Sequence, residues 1–171
     1  LLRITMKSDG KSPQKAQPRS LMARGIDALS RREYSRRELR DKLVRSRGED
    51  ESPEAVQAVL DELEDKKYLS DERYAMSRVR LRASRYGNSR LRYELLQQGV
   101  DEETIREAMD EAGDEFERAW AVWQKRFRPF PQDYKERAKQ ARFLVARGFG
   151  FDMIERVLSR ALQEDEQGED F

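Results

Sequence analysis

The chain has 171 residues, with 35 Lys plus Arg against 34 Asp plus Glu for a formal net charge of +1; 40% of its residues are charged and 37% hydrophobic. It contains neither cysteine nor histidine. That excludes a disulfide framework, zinc or haem sites built on those side chains, and any catalytic triad or general base that uses imidazole.

No apolar run approaches the ~18 residues of a membrane span. The start Leu1-Leu2-Arg3-Ile4-Thr5 is too short for the core of a secretion signal. A soluble, cytoplasmic chain without membrane contact is the expectation. The apolar fraction is low for a compact globule of this length, which suits exposed helices with thin cores.

Residues 1–20 read as a disordered extension, carrying Ser12-Pro13 and Gln17-Pro18 and no apolar period after Met6. Leu21, Ile26, Ala28 and Leu29 predict a leading helix over 21–33. Ser35-Arg36-Arg37-Glu38 reads as a capping box opening a helix with Leu39, Leu43 and Val44. Ser52-Pro53 opens the next, with Val56, Val59, Leu60 and Leu63 on one stripe. Ser70-Asp71-Glu72 caps a third, and Gly87-Asn88-Ser89 breaks it and caps a fourth, which carries Leu91, Leu95 and Leu96 and ends at Gly99. Asp101 caps the helix of Ile105, Ala108 and Met109. Asp114 to Arg128 is helical, stopped by Pro129 and Pro131. Tyr134 to Ala146 is helical, stopped by Gly148, and Asp152 caps a last helix. Residues 164–171 form an acidic tail. Few runs alternate with period two, so the fold class is all-α.

The sequence also repeats. Val56, Ile105 and Ile154 are 49 residues apart, as are Val59, Ala108 and Val157, and Leu60, Met109 and Leu158. Leu95 and Gly99 recur as Leu144 and Gly148. Charge repeats as well: residues 49–65 hold eight acids and no base, residues 73–92 seven Arg and no acid, and residues 101–117 nine acids and one Arg. Three tandem three-helix repeats over 35–84, 88–128 and 133–163 are predicted, forming an elongated, curved chain.

Arg78, Arg82 and Arg85 share one helix face at i, i+4, i+7, with Arg90 and Arg92 close by. The strip reads either as a cationic surface for phosphates or an acidic groove, or as a solvated face balanced by the acidic helices. Arg36, Arg37, Arg40 and Lys42 interleave with acids and read as solvated. Lys125, Arg126 and Arg128, then Lys135, Arg137, Lys139, Arg142 and Arg147, form a third group. Trp120, Trp123, Phe143, Phe149 and Phe151 read as core. The acidic pairs sit at helix N-termini, where the dipole favours them. No phosphate-cradling glycine loop occurs, and no catalytic or metal site assembles.

The stretch Tyr68-Leu69-Ser70-Asp71-Glu72-Arg73-Tyr74-Ala75 resembles a hallmark of the bacterial RecX regulatory proteins. So do Arg85-Tyr86-Gly87-Asn88-Ser89-Arg90-Leu91-Arg92-Tyr93-Glu94-Leu95, running on to Gly99-Val100, and Lys139-Gln140-Ala141-Arg142-Phe143-Leu144-Val145-Ala146-Arg147-Gly148-Phe149. With Ser35 to Leu39, the resemblance spans Leu21 to Leu162. Gln98 departs from it, standing where a basic residue is common. The resemblance implies a non-enzymatic modulator of the RecA recombinase, without cofactor and monomeric, acting in DNA repair. Such proteins lie in the groove of the RecA–single-stranded DNA filament and inhibit its ATPase, strand-exchange and co-protease activities; some bind DNA directly. On that reading Arg78, Arg82, Arg85, Arg90 and Arg92 make the main contacts with RecA or DNA, and Arg142 and Arg147 extend them. A stand-alone helical nucleic-acid-binding protein is the alternative.

Overall fold

The computed structural model describes residues 19–168, and within them the regular structure is entirely helical. The helices are α1 (Leu21–Leu29), α2 (Arg36–Ser46), α3 (Pro53–Asp65), α4 (Asp71–Arg82), α5 (Asn88–Gln97) and α6 (Glu102–Met109). A 3₁₀ turn (Asp110–Ala112) follows, then α7 (Glu115–Arg126), α8 (Tyr134–Ala146) and α9 (Phe151–Gly168). The disorder expected for the N-terminal extension falls almost wholly on residues 1–18, outside the described ones. At the other end α9 carries the acidic segment in helical form through Gly168.

Side-chain caps start most of these helices. Ser20, Ser35, Ser52, Ser70, Asp101, Asp114 and Asp133 each accept a hydrogen bond from the N–H three residues on, worth about 1 kcal/mol apiece. Three expected caps come out differently. Ser35 caps α2, but the Glu38 carboxylate does not close a box, because the Arg32 guanidinium holds it at 2.7 Å. Gly87, not Asn88 or Ser89, occupies the N-cap of α5. Asp152 lies inside the first turn of α9, one residue past its start.

The apolar residues gather into three cores. Leu21 and Ala28 of α1 pack with Leu39, Leu43, Val56, Leu60 and Leu63 of α2 and α3. Tyr74, Ala75 and Val79 of α4 pack with Leu91, Leu95, Ile105 and Ala108 of α5 and α6. Ala119, Trp120 and Trp123 of α7 pack with Leu144, Ile154, Val157 and Leu158 of α8 and α9. Unit one is therefore α1–α3, unit two α4–α6 and unit three α7–α9. These cores begin one helix earlier than the expected boundaries at 35, 88 and 133. The reason is that a 49-residue spacing reads the same from any starting helix; only packing decides which three helices share a core. The repeat positions themselves coincide: Val56, Ile105 and Ile154 are buried in α3, α6 and α9, and Leu43, Leu95 and Leu144 in α2, α5 and α8. Trp120 and Trp123 stack at 5.0 Å in the third core, where the Trp123 indole N–H donates to Gln140 Oε1 at 2.7 Å. Phe151, expected in the core, is 76% exposed at the start of α9.

Every pair of helices in extended contact belongs to one unit, so the units are joined in series through narrow joints. Those joints are built alike. The helices α5 and α8 end in Gly99 (φ 76°) and Gly148 (φ 84°), with Val100 N–H donating to Leu95 O and Phe149 N–H to Leu144 O, both at 3.2 Å. This is a Schellman turn, which needs the left-handed conformation glycine adopts most easily. Each turn sits on the N-terminus of the preceding unit's second helix, Gly99 against Arg37 and Gly148 against Gly87 and Arg90. A first-turn carboxylate completes each joint: Asp71 accepts the Arg36 N–H at 2.7 Å, and Glu115 the Asn88 N–H at 2.8 Å. The second joint has a further tie. Arg118 donates to Tyr86 O at 2.6 Å, to Ala83 O at 3.1 Å and to Asn88 Oδ1. Burial there lowers its pKa, against the opposing pull of Glu115 and Asp114.

Gly99→Ala and Gly148→Ala both place an alanine at positive φ, at about 1–2 kcal/mol. At Gly99 the nearest neighbour is the flexible Arg37 side chain; at Gly148 a new Cβ overlaps Arg90, backbone included. Urea unfolding is expected to show Gly148→Ala losing distinctly more stability than Gly99→Ala; equal losses mean that the tight approach at the second joint contributes nothing.

Candidate cationic binding surface

Six of the seven arginines between residues 73 and 92 are paired with carboxylates that lie outside that stretch of sequence. Arg73 meets Glu33, Arg80 meets Glu111 and Arg92 meets Glu102, at 3.0, 2.7 and 3.2 Å. Glu94 gathers three guanidiniums, Arg82 at 2.7 Å, Arg90 at 3.2 Å and Arg78 at 3.8 Å. The acid-free window stops at residue 92, and the acid that organises it stands two residues later. The exposed pairs among these are worth little. Glu94 is different, with a side chain only 19% exposed. Burial works to raise its pKa, but hydrogen bonds from Arg82 and Arg90 and the charges of Arg82 and Arg78 outweigh it and hold the carboxyl below its ordinary value. Three cations around one anion still leave an excess of positive charge.

Arg85 differs from the other six: among the described residues no carboxylate pairs with it. It lines an open cleft of about 490 Å³ between units two and three, with Tyr86, Lys125, Arg126, Phe143 and Arg147, and no acid lines that cleft. The walls are aromatic faces with guanidiniums laid over them. Arg82 and Arg90 both lie over the Tyr86 ring, at 4.3 and 4.5 Å, and Arg147 lies over Phe143 at 4.4 Å. Cation–π contact holds these groups in place without neutralising them. Tyr86 thus joins the Glu94 cluster to the cleft. A second depression continues from Lys125 and Arg126 to Arg128 and Lys139. On α8, Lys135, Lys139 and Arg142 recur at i, i+4, i+7 and are exposed.

The structure therefore brings Arg82, Arg85, Arg90 and Arg147 to one joint, with Arg78 reaching it through Glu94. Arg142 stands farther along α8, and Arg92 points to Glu102. Lys125 and Arg126 line the cleft but were not expected among the main contacts. Their signal is their place in the last turn of α7, inside a stretch from 118 to 132 that contains no acid. The group Arg36 to Lys42 is balanced as expected, Arg36 by Asp61 and Glu64 at 2.6 Å and Arg40 by Asp41 at 2.8 Å. Among the described residues no group of three or more acidic side chains is placed to hold a metal ion, and no helix is long and apolar enough to cross a membrane.

Glu94→Gln leaves Arg78, Arg82 and Arg90 without their counter-charge and is expected to cost about 1–3 kcal/mol. Because the folded-state pKa of Glu94 lies below its unfolded value, its contribution is complete above about pH 4.3 and fades as pH falls through the folded value. Wild type is therefore expected to lose an acid-side increment of stability that Glu94→Gln lacks, read from melting temperature against pH. Parallel curves for the two proteins would contradict the assignment.

Comparison with known proteins agrees with this architecture. Residues 70–109 match the family model of the second three-helix domain of RecX, and residues 113–158 that of the third. These ranges coincide with α4–α6 and α7–α9. Regulatory protein RecX of Ralstonia pickettii (strain 12J) is 46% identical over 158 residues, covering 92% of this chain and 98% of that one. A crystal structure of a regulatory protein RecX superposes with a TM-score of 0.68 at 25% identity, over 80% of this chain and 70% of that one. The crystal structure of RecX from Lactobacillus salivarius gives a TM-score of 0.65 at 22% identity, over 86% of this chain and 97% of that one, and supports the fold. With helices, cores and sequence in register over nine-tenths of its length, the chain belongs to the RecX family of regulatory, non-enzymatic proteins.

Proposed function

We propose that the chain modulates the RecA recombinase by binding alone, lying along the RecA–single-stranded DNA filament and inhibiting its ATPase and co-protease activities. The observation that carries the contact assignment is the acid-free cleft at the joint of units two and three, lined by the exposed Arg85, Lys125 and Arg126 and the half-buried Arg147. Guanidinium forks and ammonium groups without carboxylate partners are what a phosphate-bearing assembly attracts. Arg142 extends the surface along α8. Arg78, Arg82 and Arg90 add the excess charge of the Glu94 cluster, and Arg92, paired with Glu102, contributes least. A monomer suffices for this role, since the serial units supply several contacts at once.

Contact with bare single-stranded DNA is part of the same reading, and salt tells it apart from filament binding. Each phosphate contact contributes about 0.7 to the slope of log affinity against log salt. The triple variant Arg85→Ala, Lys125→Ala, Arg126→Ala is expected to flatten that slope by about 2. It is also expected to raise the concentration needed to half-inhibit the RecA ATPase on single-stranded DNA by tenfold or more. Arg78→Ala with Arg92→Ala is expected to change both much less. If instead the paired arginines carry the larger effect, the cleft is not the contact surface.

A further inference from the structure

The cleft between units two and three draws its cations from separate elements. Arg85 stands on the turn that joins α4 to α5, while Lys125 and Arg126 stand in the last turn of α7. The placement of that turn on α7 therefore decides how closely these charges gather.

Arg118 makes the placement. It is the fourth residue of α7, and Val122, Lys125 and Arg126 follow at i+4, i+7 and i+8, so the four share one helix face. From that face its guanidinium reaches across the joint. Nη1 donates to Ala83 O at 3.1 Å and to Tyr86 O at 2.6 Å, and Nη2 donates to Asn88 Oδ1. Ala83 and Tyr86 bracket Ser84 and Arg85. The last carbonyls of a helix lack donors within it and form its negative pole, so a cation with several donors suits the end of α4. One turn earlier on α7, Glu115 accepts the Asn88 N–H at 2.8 Å. The first turn of α7 thus grips the connection at the end of α4 and again at the start of α5. The acceptors of Arg118 are neutral oxygens, so the turn is fixed without bringing an acid into the cleft.

The first joint lacks this part. Asp71 and Glu115 are the first residues of α4 and α7 and accept the first N–H of α2 and of α5 in the same way. Three residues on, Arg118 corresponds to Tyr74, which is buried in the core of unit two. The arginine is therefore an addition at the joint that carries the cleft, and not a requirement of the repeat.

We propose that Arg118 is a positioning residue for the cationic cleft: its fork holds the turn from Ala83 to Asn88 against α7 and so sets Arg85 beside Lys125 and Arg126. It acts through Arg85, without touching the anion that the cleft receives. The inference rests on the cleft reading above and deepens it, since the binding group is then assembled across two units by a residue outside the contact surface.

A double-mutant cycle in the full chain tests it. Arg85→Ala alone is expected to raise the half-inhibitory concentration for the RecA ATPase about threefold, and Arg118→Met alone by about the same factor. Together they are expected to cost about threefold and not about ninefold, because Arg85 has already lost its place when the fork is gone. An Arg118 that only stabilises the fold would lower the melting temperature and leave the Arg85→Ala factor unchanged. Spin labels read the placement directly. The chain has no cysteine, so Ser84→Cys with Gln124→Cys, both at exposed positions, labels the turn and α7 alone. A narrow distance distribution is expected with Arg118 present and a broad one with Arg118→Met. Should Arg118→Met lose helicity by circular dichroism, Arg118→Lys, which keeps the charge without the fork, carries the same cycle and the same distance measurement. Factors that multiply, or a label distance that does not change, overturn the proposal and leave the cleft reading standing. An Arg85→Ala variant that inhibits like wild type removes the cleft reading and this proposal with it.

Discussion

The seating of a glycine turn on the start of a neighbouring helix, at Gly99 on the Arg37 side chain and at Gly148 on backbone, is what makes three small cores into one body. Each unit buries few large side chains, so neither its stability nor its orientation toward its neighbour follows from its core alone. At Gly148 the chain passes so near Gly87 and Arg90 that a Cβ on either glycine overlaps the facing backbone. The joint is therefore held by backbone geometry and a few directed bonds, such as Gly87 N–H to Arg147 O at 2.8 Å, and not by a broad apolar interface. Contacts of this kind fix position and angle closely at little cost in buried area. They also repeat easily, because they depend on a Schellman turn and a carboxylate that each unit supplies again.

The same construction explains the surface. Helices that bury one stripe each must place their many charges outward, and a chain with 40% charged residues at a net charge of +1 would pair most of them. It does so in unit two, where acids of α5 and the 3₁₀ turn meet arginines of α4 and Glu102 of α6 meets Arg92 of α5. Pairing fails at the joint between units two and three. There the last turn of α7, the turn after α4 and the end of α8 converge, and all three carry bases. The convergence is a consequence of topology: basic residues favour the C-terminal turn of a helix, and this joint brings such ends together. Two acid-free stretches, 73–92 and 118–132, supply that charge, and only the fold sets them side by side.

Much of the fold was legible in the sequence, since capping residues, breakers and apolar stripes act locally. Ser52, Ser70 and Asp101 cap where their hydroxyl or carboxylate predicts. The 49-residue spacing exposed the repeat, but not its phase, because α4 satisfies the spacing whether it closes one unit or opens the next. The binding surface was less legible. Arg78 and Arg82 look free when only their neighbours in sequence are considered, and Glu94 reaches them from the next helix. Lys125 and Arg126 look like ordinary helix-end charges until the joint sets them beside Arg85 and Arg147. Burial of Phe149 and exposure of Phe151 likewise depend on the turn between α8 and α9, which points one ring into the core and the other out. Pairing across space is the information that one-dimensional reading lacks.

Two faces meet on α8. Lys135, Lys139 and Arg142 form one, and the exposed Val145 stands one turn beyond Arg142, so charged and apolar surface adjoin along a single helix. A body that grips a filament must meet both nucleic acid and protein, and must do so without the affinity of any single contact becoming irreversible. Serial units separate those demands. The joint gathers the charge, and the glycine turns hold the spacing between units. Loss of one contact then weakens binding by a factor, while loss of the joint misaligns every contact beyond it. The geometry of Gly99 and Gly148 therefore bears on function as directly as any side chain that touches the partner.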